Sequence, residues 1–249
     1  MIPDRVAALK VKVFADGADK NGILEMYRKP YVKGFTTNPT LMRKAGIEDF
    51  ETFARDILTV VPDRPISFEV FADEFDEMER QARWIATWGE NVYVKVPVSN
   101  TRSESAAPLI ARLSRDGIKL NVTAMMTVEQ VREVCGALDP GTQACVSIFA
   151  GRIADTGRDP IPLMREALQV LAAYPKVELI WASPRELLNV FQADQIGCHI
   201  ITVTNDILAK LALVDKDLTE YSLDTVKMFH RDAESAGFRI RAQSLVEKA

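Results

Sequence analysis

The stretch Val92-Tyr93-Val94-Lys95-Val96-Pro97-Val98 sets one ammonium among β-branched residues in a run that reads as a β-strand. Alternate side chains of a strand face opposite sides, so Lys95 points either into a sheet-built interior or into the layer of helices outside it. Both places are unfavourable for a charge, and desolvation drives a lysine towards the neutral amine. A neutral amine is a nucleophile that can attack a ketone and form a Schiff base, whose protonated nitrogen draws electrons from the neighbouring carbon–carbon bond. The alternative is a structural lysine that snorkels to a rim or pairs with a nearby carboxylate.

Seven further runs rich in Val, Ile or Phe lie on either side of this one, at 11–16, 34–38, 66–71, 118–123, 144–149, 177–181 and 198–203. Stretches with helical spacing separate them, at 47–60, 73–88, 103–115, 127–138, 161–173, 185–193 and 204–213. Thr127 with Gln130 has the pattern of a capping box. Eight β/α units in about 250 residues predict an α/β fold, a single (β/α)8 TIM barrel over 1–222. A doubly wound open sheet uses fewer strands and leaves a cofactor fingerprint, and no GxGxxG or Walker pattern follows any strand. Residues 223–249 have no evident barrel role. They hold an additional C-terminal helix with Val226, Phe229 and Ala233 on one stripe, expected either to join the same domain or to dock on a neighbouring subunit.

Composition excludes several classes of function. The 249 residues contain no apolar run near the ~20 that a membrane span requires, so a soluble, globular chain is expected. The 31 basic and 35 acidic residues are dispersed and give a net charge of -4, which argues against a nucleic-acid footprint or a polybasic membrane anchor. Cys135, Cys145 and Cys198 are odd in number and widely spaced, as expected of buried free thiols in a reducing, cytoplasmic setting. Only His199 and His230 are present, outside any metal-ligand spacing, so zinc chemistry built on several imidazoles is not expected.

In a barrel of this kind the reactive groups sit at the C-terminal ends of the strands. Asp16 ends the first run and Glu69 lies within the third, so two carboxylates can converge with Lys95 for acid/base work, or form an ion pair with it. Thr36, Thr37, Asn38 and Pro39 close the second run, while Asn121 and Thr123 share one face of the fifth. These residues suit the hydroxyls of a polyol, and equally ordinary turn and capping chemistry. Ser147 to Arg152 follow the sixth run, and Ser183 to Arg185 the seventh. Two guanidinium groups in late barrel loops suit a phosphate, or are solvated loop residues.

Taken together, Phe-Ala-Asp16, Gly-Phe-Thr-Thr-Asn38-Pro-Thr-Leu, Val-Lys95-Val-Pro, Leu-Asn121-Val-Thr123, Ser147-Ile-Phe149-Ala-Gly-Arg152-Ile-Ala-Asp and Ala-Ser183-Pro-Arg185-Glu resemble the transaldolase family. The subfamily is the small one that includes fructose-6-phosphate aldolases, and the resemblance covers nearly the whole chain. It implies a metal- and cofactor-free transfer of a dihydroxyacetone unit between sugar phosphates. Lys95 would form the Schiff base, Glu69 would act through a water that Thr123 helps to hold, and Asp16 would handle the substrate hydroxyl proton. Asn38, Asn121 and Ser147 would contact the dihydroxyacetone portion, Thr36 would be a further substrate contact from the second strand, and Arg152, Ser183 and Arg185 would hold the distal phosphate. The resemblance also implies a homo-oligomer, a pentamer or decamer, with the C-terminal helix packed on a neighbour.

Within the family, Glu69 and Phe149 stand where fructose-6-phosphate aldolases carry Gln and Tyr, which favours transfer over release, since phenylalanine has no hydroxyl to act as an acid or base. Gly17, Pro184 and the Ala-Met-Met after Thr123 depart from the family pattern. Two other readings stand beside this one: an aldolase that releases dihydroxyacetone, and a barrel that binds a sugar phosphate with Lys95 inert.

Overall fold

Each apolar run becomes one short parallel strand in a computed structural model that describes residues 3–240. The strands are β1 (Lys12–Asp16), β2 (Val32–Thr36), β3 (Ile66–Glu69), β4 (Val92–Pro97), β5 (Leu120–Met125), β6 (Ala144–Ile148), β7 (Val177–Trp181) and β8 (Ile200–Thr204). They pair in sequence order, and β8 pairs with β1, so the sheet closes on itself as a (β/α)8 TIM barrel. Closure leaves no free edge.

The helices are α1 (Asp4–Ala7), α2 (Lys20–Tyr27), α3 (Pro39–Lys44), α4 (Phe50–Val60), α5 (Phe75–Ala86), α6 (Ala107–Arg115), α7 (Val128–Ala137), α8 (Ala150–Asp155), α9 (Ile161–Leu171), α10 (Leu188–Gln195), α11 (Asn205–Leu208) and α12 (Leu218–Ser235). The long ones follow their apolar stripes. α5 buries Met78, Ala82 and Ile85, and α6 buries Leu109, Ile110 and Leu113. Thr127 accepts from the Gln130 amide while the Gln130 side chain returns to the cap, so the expected capping box is present.

Several boundaries differ from the sequence reading for local reasons. β2 starts earlier than expected and stops at Thr36, because Asn38 caps α3 and Pro39 takes its first turn. β5 runs on past Thr123 through an irregularity between Val122 and Met125, with Ala124 at φ +66°. The short helices α1, α2, α3 and α8 are not among the helical stretches expected from the sequence. The expected helix at 204–213 is α11 followed by a 3-10 turn, Ala209–Leu213.

Inside the barrel, Phe14, Cys145, Ile180, Ala182 and Ile200 form an apolar cluster, against which Tyr93 and Phe149 pack. A Cβ on Gly34 would sit 2.5 Å from the Phe14 ring, so the ring occupies the space that a β2 side chain would otherwise fill. Two residues further along the strands, towards their C-terminal ends, the inward positions turn polar: Asp16 on β1 and Thr202 on β8 follow Phe14 and Ile200. This apolar floor under a polar tier is what positions the candidate site.

The chain separates into two compact units at Ala212/Leu213. The second contains α12, which begins at Leu218 and not at 223 because Asp217 accepts from the Thr219 and Glu220 amides as its cap. None of its residues is buried, and Leu218, Val226 and Phe229 are exposed. The part of the C-terminal segment after residue 240 lies outside the described residues. Among them, no helix is long and apolar enough to cross a membrane.

Candidate active site

Lys95 is directed inward, and only 6% of it is exposed. Its Nζ lies 3.0 Å from Glu69 Oε2 and donates to the Thr37 carbonyl at 3.0 Å. The register explains the meeting: Glu69 is the direct partner of Lys95 across β3 and β4, and Lys95 in turn partners Asn121 on β5. Of the two expected carboxylates, Glu69 is the one in ion-pair contact with the ammonium.

Asp16 stands nearby at the end of β1, where Thr36 Oγ1 donates to its Oδ1 at 2.8 Å and Asn38 Nδ2 to its Oδ2 at 3.3 Å. Burial pushes its carboxyl above the ordinary carboxylate range, against the opposing pull of Lys95 and of the two donors, with Glu69 adding a small push upward. A carboxyl so placed exchanges a proton more readily near neutral pH than a surface aspartate does. Asn38 serves two elements at once, since its Oδ1 also accepts from the Leu41 amide at the start of α3.

Asn121 is held at both ends of its amide. Ser147 Oγ donates to Oδ1 at 2.7 Å, and Nδ2 donates to Ser67 Oγ at 3.0 Å. This chain crosses β3, β5 and β6 and fixes which end of the amide faces which way. Thr123, two residues on along the same face, is buried with a hydroxyl that has no hydrogen-bond partner among the described residues. A buried hydroxyl of that kind is available to a small polar ligand.

The two arginines are not equivalent. Arg185 makes a two-point contact with Asp155, Nε to Oδ1 at 2.9 Å and NH2 to Oδ2, and its NH1 donates to Ser183 Oγ at 2.9 Å. The guanidinium hydrogen bond holds the Asp155 carboxyl below its usual range. Arg152, on α8, lies with its guanidinium 5.5 Å from the Phe149 ring centroid and is exposed. The structure therefore joins Ser183 to Arg185 and Arg152 to Phe149. Ser183 itself sits at φ +61°, and a Cβ on Gly151 would lie 1.6 Å from its carbonyl oxygen. The β6 and β7 loops thus touch backbone to backbone at a position where only glycine fits.

Three contributors escaped the sequence reading. Ser67 and Thr202 line the interior and hydrogen-bond to expected site residues, and Asp155 holds Arg185. Period-two alternation could have found Ser67, two residues before Glu69, and Thr202, two residues after Ile200; Asp155 closes the Arg152-Ile-Ala-Asp motif, but nothing local shows that it meets Arg185. The three cysteines are free and buried, as expected, and burial pushes the thiols up, to about 11 for Cys135 and about 12 for Cys198. Among the described residues, no three His, Cys, Asp or Glu converge as a metal-ligand set.

A family described as Transaldolase/Fructose-6-phosphate aldolase matches residues 13–240. A probable transaldolase of Dehalococcoides mccartyi is 34% identical over 218 residues, 86% of this chain and 97% of that protein. One from Streptococcus agalactiae serotype V is 36% identical over the same shares of both chains, and one from Methanococcus maripaludis is 34% identical. Among solved structures, 3-keto-L-gulonate-6-phosphate decarboxylase from Vibrio cholerae aligns over 79% of this chain and 88% of its own, with a TM-score of 0.53 and 10% identity. A 2,3-dimethylmalate lyase aligns over 98% and 90%, with a TM-score of 0.51 and 12% identity. At such identity these two structures speak for the barrel alone.

Proposed function

The chain belongs to the transaldolase/fructose-6-phosphate aldolase family, and from that premise we propose that it is a Schiff-base transaldolase, moving a dihydroxyacetone unit from a ketose phosphate to an aldose phosphate. The observation that carries the proposal is the buried Lys95–Glu69 pair at the C-terminal end of the barrel, with Asp16 beside it.

The residues divide the proton work between them. Lys95 Nζ passes a proton to Glu69 across their 3.0 Å contact, and the freed amine attacks the ketose carbonyl carbon. The carbinolamine oxygen leaves as water with the proton that Glu69 returns, and an iminium remains. Asp16 then takes the proton of the C4 hydroxyl. The C3–C4 electron pair moves towards the iminium nitrogen, releasing an aldose and leaving an enamine. The enamine carbon attacks the carbonyl of a second aldose phosphate, whose oxygen takes the proton back from Asp16. Water then hydrolyses the iminium and restores Lys95. The Thr123 hydroxyl, which no group among the described residues engages, suits the holding of a water next to Glu69.

Binding follows the same geometry. Asn121, fixed by Ser147 and Ser67, and Asn38, fixed by α3, offer oriented amides to the dihydroxyacetone hydroxyls, with Thr36 beside them. Arg152 and the Ser183–Arg185 pair receive the distal phosphate. Phe149 packs on the apolar cluster and brings no hydroxyl, so no acid stands there to quench the enamine, which favours transfer over release. No metal or organic cofactor is required, because the iminium is the electron sink. The exposed apolar residues of α12 support a homo-oligomer in which that helix docks on a neighbour, and light scattering at a monomer mass would defeat this part.

The test supplies fructose 6-phosphate with and without erythrose 4-phosphate and follows sedoheptulose 7-phosphate and free dihydroxyacetone. Acceptor-dependent heptulose formation, absent in Lys95→Met, supports the transferase. Acceptor-independent dihydroxyacetone points instead to an aldolase, and no borohydride-trapped adduct on Lys95 refutes the Schiff base.

A further inference from the structure

Thr36 Oγ1 is hydrogen-bonded twice, to Asp16 Oδ1 at 2.8 Å and to Thr202 Oγ1 in a shorter contact. A hydroxyl has one proton, and an ionised carboxylate only accepts. With Asp16 ionised, Thr36 must spend its proton on Asp16, and Thr202 must be the donor in the other bond. We propose that Thr202 is a positioning residue of the site: by donating to Thr36 it fixes the direction of a Thr202–Thr36–Asp16 hydroxyl chain and strengthens the hydrogen bond on which the Asp16 carboxylate depends. The inference rests on the reading of Asp16 as the acid/base group and extends it to a residue that touches no substrate.

The surroundings of Thr202 favour this over a structural role. It is 5% exposed on a strand whose other residues include Ile200, Ile201 and Val203. A valine has the same shape and suits such a strand better, and it would leave no buried hydroxyl to satisfy. The hydroxyl reaches from β8 past β1 to Thr36 on β2, linking the two strands that flank Asp16. Hydrogen bonds in a chain polarise one another, so a second hydroxyl strengthens the first as a donor.

The charged groups that act on Asp16 are Lys95 of β4, which favours the carboxylate, and Glu69 of β3, which opposes it. The flanking strands present Thr36 and Thr202, with Asn38 just after β2. α11, which packs on β1, buries Ile207 and Leu208 and leaves Asp206 exposed. The hydroxyl chain, like Asn38, can therefore be altered without touching a charge.

The experiment follows the Asp16 carboxyl by 13C NMR titration in the full chain, alongside the acid limb of the kcat/KM profile. Thr202→Val should move the Asp16 midpoint upward and lower kcat/KM on the acid limb about three- to tenfold, the size of one modest hydrogen bond. Thr202→Ser should restore both, and Thr202→Val should add nothing in a Thr36→Val background. An unmoved midpoint in Thr202→Val, or independent effects in the double variant, would overturn the proposal. The titration needs no turnover. A moved midpoint in a protein without transaldolase activity would sink the functional reading and leave standing the effect of the hydroxyl chain on Asp16.

Discussion

Glu69 and Lys95 are direct register partners on adjacent strands, and their side chains meet at 3.0 Å inside the barrel, where neither is more than 17% exposed. Two groups so placed stabilise each other only as a pair, because either one alone is a charge left without water.

Removing one partner should therefore be worse than removing both. Lys95→Met should destabilise by about 3–5 kcal/mol in urea unfolding at neutral pH, and Lys95→Met/Glu69→Gln should recover most of that loss. Equal losses in the single and double variants would mean that the ion pair contributes nothing. Activity should fall at least about a thousandfold in both, since both lack the amine proposed as the nucleophile.

Asp16 should show the opposite balance between stability and activity. Its folded pKa is raised by burial, so the charged form is disfavoured in the native state. That penalty is absent below the unfolded value, grows as pH rises through the folded one, and is fully present above it. Asp16→Asn should consequently be more stable than the parent at pH 8, with the difference fading as pH is lowered through the folded pKa. Its kcat should drop about 10²- to 10⁴-fold. A variant less stable at every pH would contradict the direction of the shift.

His199 sets part of the acid limit of the fold. Its Nδ1 accepts from the Leu179 amide at 3.0 Å, which requires an unprotonated nitrogen, and burial lowers its pKa from 6.5. The unfolded chain then takes up the proton first, so this contribution is intact above about 6.5 and is lost as pH falls from there through the folded value. His199→Asn keeps an acceptor near the same place and removes the titration. Its melting temperature should decline less than the parent's between pH 7 and pH 5, and parallel declines would show that His199 is not responsible.

Gly151 tests the contact between the β6 and β7 loops. An added Cβ would lie 1.6 Å from the Ser183 carbonyl oxygen, too close for anything but movement of the backbone that carries Ser183 and Arg185. Gly151→Ala should cost about 1–3 kcal/mol of stability. It should also raise KM for a phosphorylated donor much more than for dihydroxyacetone itself. Unchanged binding of both would separate these loops from the phosphate.

Much of this architecture is legible in the sequence. Eight apolar runs with helical spacing between them predicted the barrel, because a parallel strand needs a crossover and a crossover needs a stretch long enough for a helix. Lys95 stood out because a charge inside Val-Tyr-Val-Lys-Val is locally anomalous. Asp16, Glu69, Asn121 and Thr123 followed from their places near strand ends. The strand limits were less legible where capping competed with extension, as at Asn38 and Pro39.

What the sequence determined by itself was therefore local: the period of each segment, the caps, and the anomaly of a lysine among β-branched residues. Only the tertiary structure decided who partners whom. Thr36 meets Thr202 across 166 residues of chain, Arg185 binds Asp155, and Lys95 takes Glu69 in place of Asp16 as its direct counter-ion. The reason is physical. A side chain's period says which face of a strand it occupies, whereas its hydrogen-bond partner depends on strand register and on the closing of β8 against β1, and these are set by the packing of the whole barrel.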